Sequence, residues 1–443
     1  MRLLCLCITV LFFSPLQAET NNIEPPLPEG LTDTKTEKPS AFGKSSRRKL
    51  STTGFLEGRG GTRFQTDDHE DQTSISELRL QVENQWQTDP ATFQLTTDFI
   101  YDDLENDRDI DLDRGEGWID LREANVLIHP TSFIDLKVGR QILTWGTGDL
   151  VFINDLFPKD FVSFFVGRDS EYLKTPSDAA RISLFSHAVN LDIAYTPRFD
   201  ADRFISGKRL SYFNTELGRI TGQDAIIEPK FPQDDETAVR VYRNLKNFEV
   251  AAYFYDGYWK SPVGQTTSGK AFFPALTVWG ISLRGPVKGG ILSTELGYYD
   301  SRDDPDGDNP LVPNSEWRYL VGYEREVLPE LTVGFQYYAE RINDYDAFRK
   351  SQPVNNQQDD RTRHVVTVRL TKLTFNQNLV LSAFNFWSPN QEDGYLRLNA
   401  SYKFTDNWYA EIGSNNFYGD NESNFFGQFK DNSNIFVSIR RSF

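Results

Sequence analysis

An alternation with a period of two dominates the chain from residue 52 to its end. In ELRLQVENQW (residues 77–86) and YLRLNASYKF (residues 395–404), apolar side chains recur at every second position, and charged or amide groups fill most of the others. Successive side chains of a β-strand point to opposite faces, so each segment predicts a strand with one apolar face and one strongly polar face. A soluble β-sandwich also alternates, but it seldom carries charge so densely on its second face.

The connections between these segments alternate in length. Short ones fall at residues 88–90, 129–132, 187–190, 245–247, 286–289, 328–330, 374–378 and 405–407. Longer ones lie between them, for example at residues 103–115, 146–177, 198–235, 301–314 and 343–360. This pattern is typical of an all-β, antiparallel up-and-down β-barrel that spans a membrane, with turns at one end and loops at the other. We predict about 18 strands, an aqueous lumen and both termini on the periplasmic side.

Residues 1–18 have the layout of a secretory signal peptide. Arg2 precedes an apolar run that is too short for a membrane anchor, and Ala18 supplies the small residue before cleavage. The two cysteines, Cys5 and Cys7, lie inside this leader, which excludes a disulfide-held exported domain. The net charge of −17 and the mean hydropathy of −0.52 suit a soluble protein, yet 14% of the residues are aromatic. Export, high aromatic content and the lack of apolar helical runs favour a barrel in the outer membrane of a Gram-negative bacterium.

Residues 19–51 are polar and rich in proline, which predicts a disordered periplasmic tail. The barrel is expected to occupy residues 52–443. The basic cluster at residues 47–49 is interpreted either as part of a solvated leader or as a segment that contacts an acidic periplasmic partner or plugs the barrel.

The chain ends in NIFVSIRRSF, where Ile435, Val437, Ile439 and Phe443 share one face. A terminal strand that closes on phenylalanine resembles the signal that the outer-membrane assembly machinery recognises. The expected partners are this machinery, membrane lipid, lipopolysaccharide and a small-molecule solute. No nucleic-acid partner is expected.

Basic side chains on the polar faces of the strands are candidates for the lining of the lumen. They are Arg181, Arg240, Arg318, Arg363, Arg369 and Arg397. Fixed charges on the walls of a diffusion pore orient solutes and tune ion selectivity, so this lining predicts small hydrophilic, anionic solutes. The alternative is that arginine–carboxylate pairs only stiffen the wall.

Two short motifs resemble those of alginate-export-like outer-membrane porins: LREANV at residues 121–126 and VGRQILTWG at residues 138–146. In that family a strand with an "EAYV"-like end precedes one carrying "GRQ", and Asn125 stands where tyrosine is common. The resemblance implies a monomeric channel of about 18 strands and leaves alginate open as a solute.

Within these motifs, strict alternation would point Arg140 outward. A β-bulge at Gly139 and a second slip near residues 122–123 would reverse this. We therefore predict that Arg140 and Glu123 meet in the lumen.

The third long connection, residues 146–177, is unusually apolar for a loop. Its stretch LVFINDLFPKDFVSFF starts at residue 150. The polar residues within or next to this stretch, all candidates for a constriction, are Asp149, Asn154, Asp155, Lys159 and Asp160. Because an exposed patch of this size would promote association, we expect the segment to fold into the lumen and narrow it, as third loops of porins do. An oligomer contact or a cap over the mouth is the alternative.

The long connections also carry acidic repeats. The candidate ligands for a structural Ca²⁺ or Mg²⁺ ion are Asp107, Asp109, Asp111, Asp304, Asp306 and Asp308. Neither segment has EF-hand spacing, and solvated, mutually repelling loops are the alternative. No other metal or cofactor is expected.

Two other functions stay open. An export duct for a polysaccharide or lipid would dock periplasmic partners through the tail. An enzyme at the outer rim would need a histidine beside an acid or a nucleophile, and only His364, near Asp359 and Asp360 in sequence, fits. No triad-like set converges by spacing, so catalysis is not expected.

Overall fold

The computed structural model describes residues 49–104, 109–352 and 360–443. Its strands, in chain order, are β1 (Lys49–Arg63), β2 (Thr73–Gln87), β3 (Ala91–Asp102), β4 (Ile119–Thr131), β5 (Ile134–Ile142), β6 (Pro176–Leu184), β7 (Asn190–Thr196), β8 (Tyr212–Asn214), β9 (Arg219–Thr221), β10 (Glu236–Leu245), β11 (Phe248–Tyr258), β12 (Gly264–Gln265), β13 (Ala271–Phe272), β14 (Ala275–Val287), β15 (Gly290–Ser301), β16 (Glu316–Leu328), β17 (Leu331–Ile342), β18 (Thr362–Thr374), β19 (Leu379–Ser388), β20 (Asp393–Lys403), β21 (Trp408–Tyr418) and β22 (Asn434–Ser442).

Eighteen of these strands form one antiparallel sheet that closes on itself, because β1 pairs with both β2 and β22. The remaining four form two small hairpins, β8–β9 and β12–β13, inside long connections. The predicted fold, an up-and-down β-barrel of about 18 strands, is confirmed. β1 begins at Lys49, three residues before the expected start of the barrel at residue 52.

Short turns lie at one end of the barrel and the longer connections at the other, as predicted, except that the connection between β19 and β20 (residues 389–392) is no longer than the turns. The beginning of β1 and the end of β22 lie at this turn end. At the other end, the loops used below are loop 1 (residues 64–72), loop 2 (residues 103–118), loop 3 (residues 143–175), loop 4 (residues 197–235) and loop 9 (residues 419–433).

Helices occur only as short pieces in the described loops. They are α1 (Phe161–Val166), α2 (Tyr345–Ser351) and two 3₁₀ helices (Ser170–Leu173 and Gly427–Asn432). In the described parts of the chain, no helix is both long and apolar enough to cross a membrane.

The two faces of the barrel wall have opposite character, and the outer face is the apolar one. On β2, Leu78 is 50% exposed, whereas the next residue, Arg79, is 2% exposed. Other outward apolar residues with large exposed fractions are Leu95, Phe99, Trp279, Ile281, Val321, Phe335, Ile412, Val437 and Ile439. The described barrel is therefore inside-out relative to a water-soluble protein, with charge inside and hydrocarbon outside.

The seam between the first and last strands closes at Phe443. The Gly54 N–H donates to the Phe443 carbonyl (3.2 Å), and the Phe443 N–H donates to the Gly54 carbonyl (2.9 Å). A Cβ atom at Gly54 would lie 2.7 Å from the Phe443 ring, so only glycine fits beside it.

Candidate functional site in the barrel lumen

Loop 3 lies inside the barrel, as expected from its apolar sequence. It leaves the wall at β5, and its Asp149 reaches Arg369 on β18. Further along, the Phe165 carbonyl accepts hydrogen bonds from Asn415 Nδ2 on β21 (2.9 Å) and from Asn434 Nδ2 on β22 (3.0 Å). The loop thus contacts inward-facing residues on widely separated strands and fills much of the cross-section at this level.

The apolar half of loop 3 packs against aromatic residues of the wall. The Phe165 ring lies 4.9 Å from that of Phe417, 5.4 Å from that of Tyr395 and 5.4 Å from that of Phe429 in loop 9. Phe164 packs on the same Tyr395 ring at 5.8 Å. The phenylalanines of this loop therefore form an apolar core inside the barrel. Their burial there stabilises the folded position of the loop.

Arginines of the wall hold the backbone of this half. Arg397, a predicted lumen residue, donates to the carbonyls of Phe164 (3.3 Å) and Arg168 (2.9 Å). Arg59 donates to the Gly167 carbonyl at 2.6 Å, and Arg122 to the Lys174 carbonyl at 2.8 Å. These guanidinium groups satisfy carbonyls that a loop buried away from water would otherwise leave unpaired.

The other half, residues 146–156, is called the arm of loop 3. Glu295 on β15 accepts hydrogen bonds from the Thr147 N–H, from the Gly148 N–H (2.9 Å), and from the Asn154 N–H (3.1 Å) and Nδ2 (2.8 Å). The Tyr299 hydroxyl donates to the Ile153 carbonyl at 2.5 Å. Two inward-facing residues of one strand, Glu295 and Tyr299, thus hold both sides of the arm.

The tip of the arm is held by an ion pair that solvent can reach. Arg369 donates to both carboxylate oxygens of Asp149, and Gln336 bonds to the Asp149 N–H (2.7 Å) and carbonyl (2.8 Å). The guanidinium also stacks over Phe384 at 4.4 Å. Asp149 and Arg369 keep 35% and 21% side-chain exposure, so this pair is part of the lumen surface.

The remaining polar residues predicted in loop 3 bond mainly within the loop. Asp155 accepts from Thr144 Oγ1 (2.7 Å) and pairs with Lys159 Nζ (3.0 Å). Asp160 caps α1 by accepting from the Ser163 N–H at 2.6 Å. Asp155, Lys159 and Asp160 are each at most 5% exposed, which makes them supports of the loop rather than part of its surface.

Two predicted lumen arginines are engaged in pairs near the loop end of the wall. Arg318 pairs with Glu316 (2.6 Å) and lies over the Tyr299 ring at 4.0 Å. Arg363 pairs with Glu340 at 3.3 Å. The contacts of these two arginines agree with the alternative that arginine–carboxylate pairs stiffen the barrel wall.

Nearer the turn end, basic groups are left less neutralised. Arg240 pairs with Glu249 at 2.5 Å. The guanidinium groups of Arg181 and Arg284, both half-buried residues, make no hydrogen bond or ion pair with any described residue. Arg181 is the cross-strand neighbour of Lys137, so two like charges face each other on the inward side of the wall.

The predicted slip in β4 is present. The ladder with β3 shifts by one residue between Leu121 and Glu123, which leaves Arg122 as the bulged residue. The slip keeps both Arg122 and Glu123 inward. Glu123 contacts Lys137 on β5 (3.4 Å), and Arg122 supports loop 3.

The predicted meeting of Arg140 with Glu123 is wrong. The ladders of β5 show no slip at Gly139, so Arg140 keeps the outward register of Val138. Its guanidinium pairs with Asp178 at 3.1 Å and donates to main-chain carbonyls of β4 and loop 2. Loop 2 therefore covers an outward arginine at the rim, which is only 6% exposed and needs no bulge to avoid lipid.

Loop 4 reaches across the mouth above loop 3. Ser211 Oγ donates to Asp67 of loop 1 (2.6 Å), and Asn432 Nδ2 of loop 9 donates to the Ser211 carbonyl (2.9 Å). Gln223 Nε2 contacts Glu70 of loop 1 at 3.3 Å, and burial raises the pKa of Glu70 to about 7. The cap that sequence reasoning considered for loop 3 is thus supplied by loop 4.

The acidic repeats were candidates for a structural Ca²⁺ or Mg²⁺ ion, and this stays a prediction. Asp107 lies outside the described residues. Among the described residues, no group of three or more histidine, cysteine, aspartate or glutamate side chains is arranged to hold a metal ion. The candidate metal ligands that are described are Asp109, Asp111, Asp304, Asp306 and Asp308.

The rim histidine has no described carboxylate partner. His364 Nδ1 lies 2.7 Å from the Tyr337 hydroxyl, and Asp360 accepts from Asn390 Nδ2 at 2.9 Å. Asp359 lies outside the described residues.

Sequence reasoning missed Glu295, which holds the arm, and the glycines opposite the arm. The sequence signal for this contact was the segment STELGYY in the middle of β15, where a glycine follows an inward glutamate by two positions. A glycine inside a strand is a known mark of close approach by another segment.

No family model matches the chain, and no curated protein matches it in sequence. Two solved structures of Pseudomonas aeruginosa outer-membrane porins, OccD3 and OccK5, are similar to it with a TM-score of 0.52 and 9% identity each. The similarity covers 89% of this chain and 90% of OccD3, and 90% of this chain and 97% of OccK5. The barrel described above thus shares the fold of solved porins.

Proposed function

We propose that the protein is an outer-membrane channel for the passive passage of small hydrophilic solutes. The observation that carries this proposal is the inside-out wall, on which outward residues such as Leu78 and Trp279 are exposed and inward residues such as Arg79 are charged. Only a bilayer offers a surrounding that stabilises such an outer face. The LREANV and VGRQILTWG motifs support a relationship to alginate-export-like porins.

We further propose that the solutes are anionic. This rests on Arg181 and Arg284, whose guanidinium groups form no hydrogen bond or ion pair with a described residue. The residues across the ladder from them, Lys137 and Glu249, are already paired, with Glu123 and with Arg240. Unpaired cations on a lumen wall attract anions and repel cations. The ion pairs of Arg318 and Arg363 contribute little to this field, because their charges are neutralised.

Reconstitution in planar lipid bilayers tests both statements. Stepwise conductance supports the channel, and its absence would contradict it. In a salt gradient, the reversal potential should favour anions, and the double variant R181Q/R284Q should shift it towards cations. The matched control is R441Q, because Arg441 faces outward at the turn end and stacks on Trp408. An equal shift in the control, or cation preference in the parent protein, would contradict the anionic proposal.

We also propose that residues 1–18 direct export and are removed, that the tail from residue 19 to the start of β1 extends into the periplasm, and that both termini lie on the periplasmic side. Phe443 would be the residue that the assembly machinery recognises, with lipopolysaccharide around the loop end. The sequence patterns given above support these assignments.

A further inference from the structure

Two glycines of the wall face each other where the arm of loop 3 meets it. Gly280 on β14 pairs directly with Gly297 on β15, and both are inward. A Cβ atom at Gly280 would overlap the side chain of Asn154, with its Cγ only 2.8 Å away. A Cβ atom at Gly297 would lie 2.7 Å from Ile153 Cγ2. The pair thus forms a notch, the glycine socket, that receives Ile153 and Asn154.

Polar groups complete the socket. Asn154 Nδ2 donates to the Ile281 carbonyl at 3.2 Å and to Glu295 at 2.8 Å. Glu295 is 4% exposed and forms no ion pair with a described residue. A buried carboxylate of this kind needs hydrogen-bond donors, and here the arm supplies them. The Glu295 side chain and the docked arm therefore stabilise each other.

The docked arm also carries unfavourable features. Asn154 Oδ1 is buried without a hydrogen-bond partner. Leu150 adopts a left-handed φ of 56°, which is uncommon for a residue with a side chain. Undocking would relieve both costs, and Gly146, with a φ of 87°, provides a flexible residue at the start of the arm.

We propose that the arm leaves and re-enters the glycine socket as a unit, hinged at Gly146, with Glu295 as its positioning residue. The second half of loop 3 stays in place, because the aromatic core and the wall arginines hold it. The docked arm narrows the lumen and the undocked arm widens it. This last consequence rests on the proposed channel function, whereas the movement itself does not.

Hydrogen–deuterium exchange of the purified full-length barrel in detergent tests the movement without any need for conduction. In E295Q, the amides of Thr147, Gly148 and Asn154 should exchange at least about tenfold faster, because the neutral amide accepts fewer of their hydrogen bonds. Residues 164–168 should keep their protection. The control is E249Q, which removes an inward carboxylate that does not touch the loop. Unchanged exchange in E295Q, or equal acceleration throughout loop 3, would overturn the proposal.

A cross-link gives a second test that keeps Glu295. A Cβ atom at Gly280 lies 2.8 Å from Asn154 Cγ, which is one bond further out than Asn154 Cβ. The two Cβ atoms of an N154C/G280C pair are therefore about 4 Å apart, within disulfide range. The chain has no cysteine after Cys7, so no other thiol competes. In bilayers, the oxidised pair should lose the switching between conductance levels, and dithiothreitol should restore it, while N154C alone should not respond. Identical switching in both redox states would refute the arm as the moving element. No current at all, with exchange as expected, would instead contradict the channel function.

Discussion

Truncation of Phe165 tests whether loop 3 is part of the cooperative structure of the barrel. The side chain is 5% exposed and packs on Phe417, Tyr395 and Phe429 at ring distances of 4.9 to 5.4 Å. Removing a buried phenylalanine ring costs about 3–5 kcal/mol, from lost transfer free energy and from the cavity left behind. Each aromatic pair adds about 0.5–1.5 kcal/mol, so F165A should fall in the upper part of that range.

The assay is reversible urea unfolding of the barrel in detergent or lipid vesicles, followed by tryptophan fluorescence. The matched control is F133A, since Phe133 is 54% exposed in a turn and its loss should change the free energy of unfolding by less than about 0.5 kcal/mol. If F165A costs less than about 1 kcal/mol while the barrel unfolds in one transition, loop 3 does not share the core, and the reasoning fails.

Four further outcomes follow from described contacts. R59A should destabilise the barrel by about 3–5 kcal/mol in the same urea assay, because it leaves the buried Glu411 carboxylate without an ion-pair partner, while Glu57 keeps its pair with Arg440. The pKa of Glu70 rises from 4.5 to about 7, so its contribution to the docking of loop 4 is full below about pH 4.5 and is lost as pH rises through about 7. Exchange of the β8–β9 hairpin, corrected for intrinsic rate, should therefore be slower at pH 5 than at pH 8, and E70Q should remove the difference. R140A should lower protection in loop 2 and leave the reversal potential unchanged. Deletion of Phe443 should reduce the yield of assembled, heat-modifiable barrel on gels, whereas F133A should not.

The fold could be predicted from the sequence because the pattern of a membrane barrel is local. A period of two and alternating connection lengths depend only on neighbouring residues, and both predicted the strands correctly. The slip near Arg122 was also predictable, since unbroken alternation would have exposed charged residues on the outer face. The inward course of loop 3 followed from its hydrophobicity alone.

The partners of individual side chains were not readable in this way. For Arg140 the sequence offered a bulge at Gly139, but a loop distant in the chain covers the guanidinium instead. Likewise, Arg397 looked like a free lumen cation, yet it binds carbonyls of loop 3. Both outcomes depend on where long loops fold, and alternation carries no information about that. The Gly280–Gly297 socket is intermediate: each glycine was visible, but their pairing required the register.

The seam at Gly54 and Phe443 sets the order of events during biogenesis. The rungs between β1 and β22, of which Gly54–Phe443 is the last, join the two ends of the described barrel, so the cylinder cannot close before β22 has been made. Until then, β1 presents an unpaired edge, and such edges invite pairing with other chains. The contact order of this rung is near the maximum that the chain allows, which predicts slow closure. A chain that ends before β22 would thus leave this edge unpaired and the sheet open.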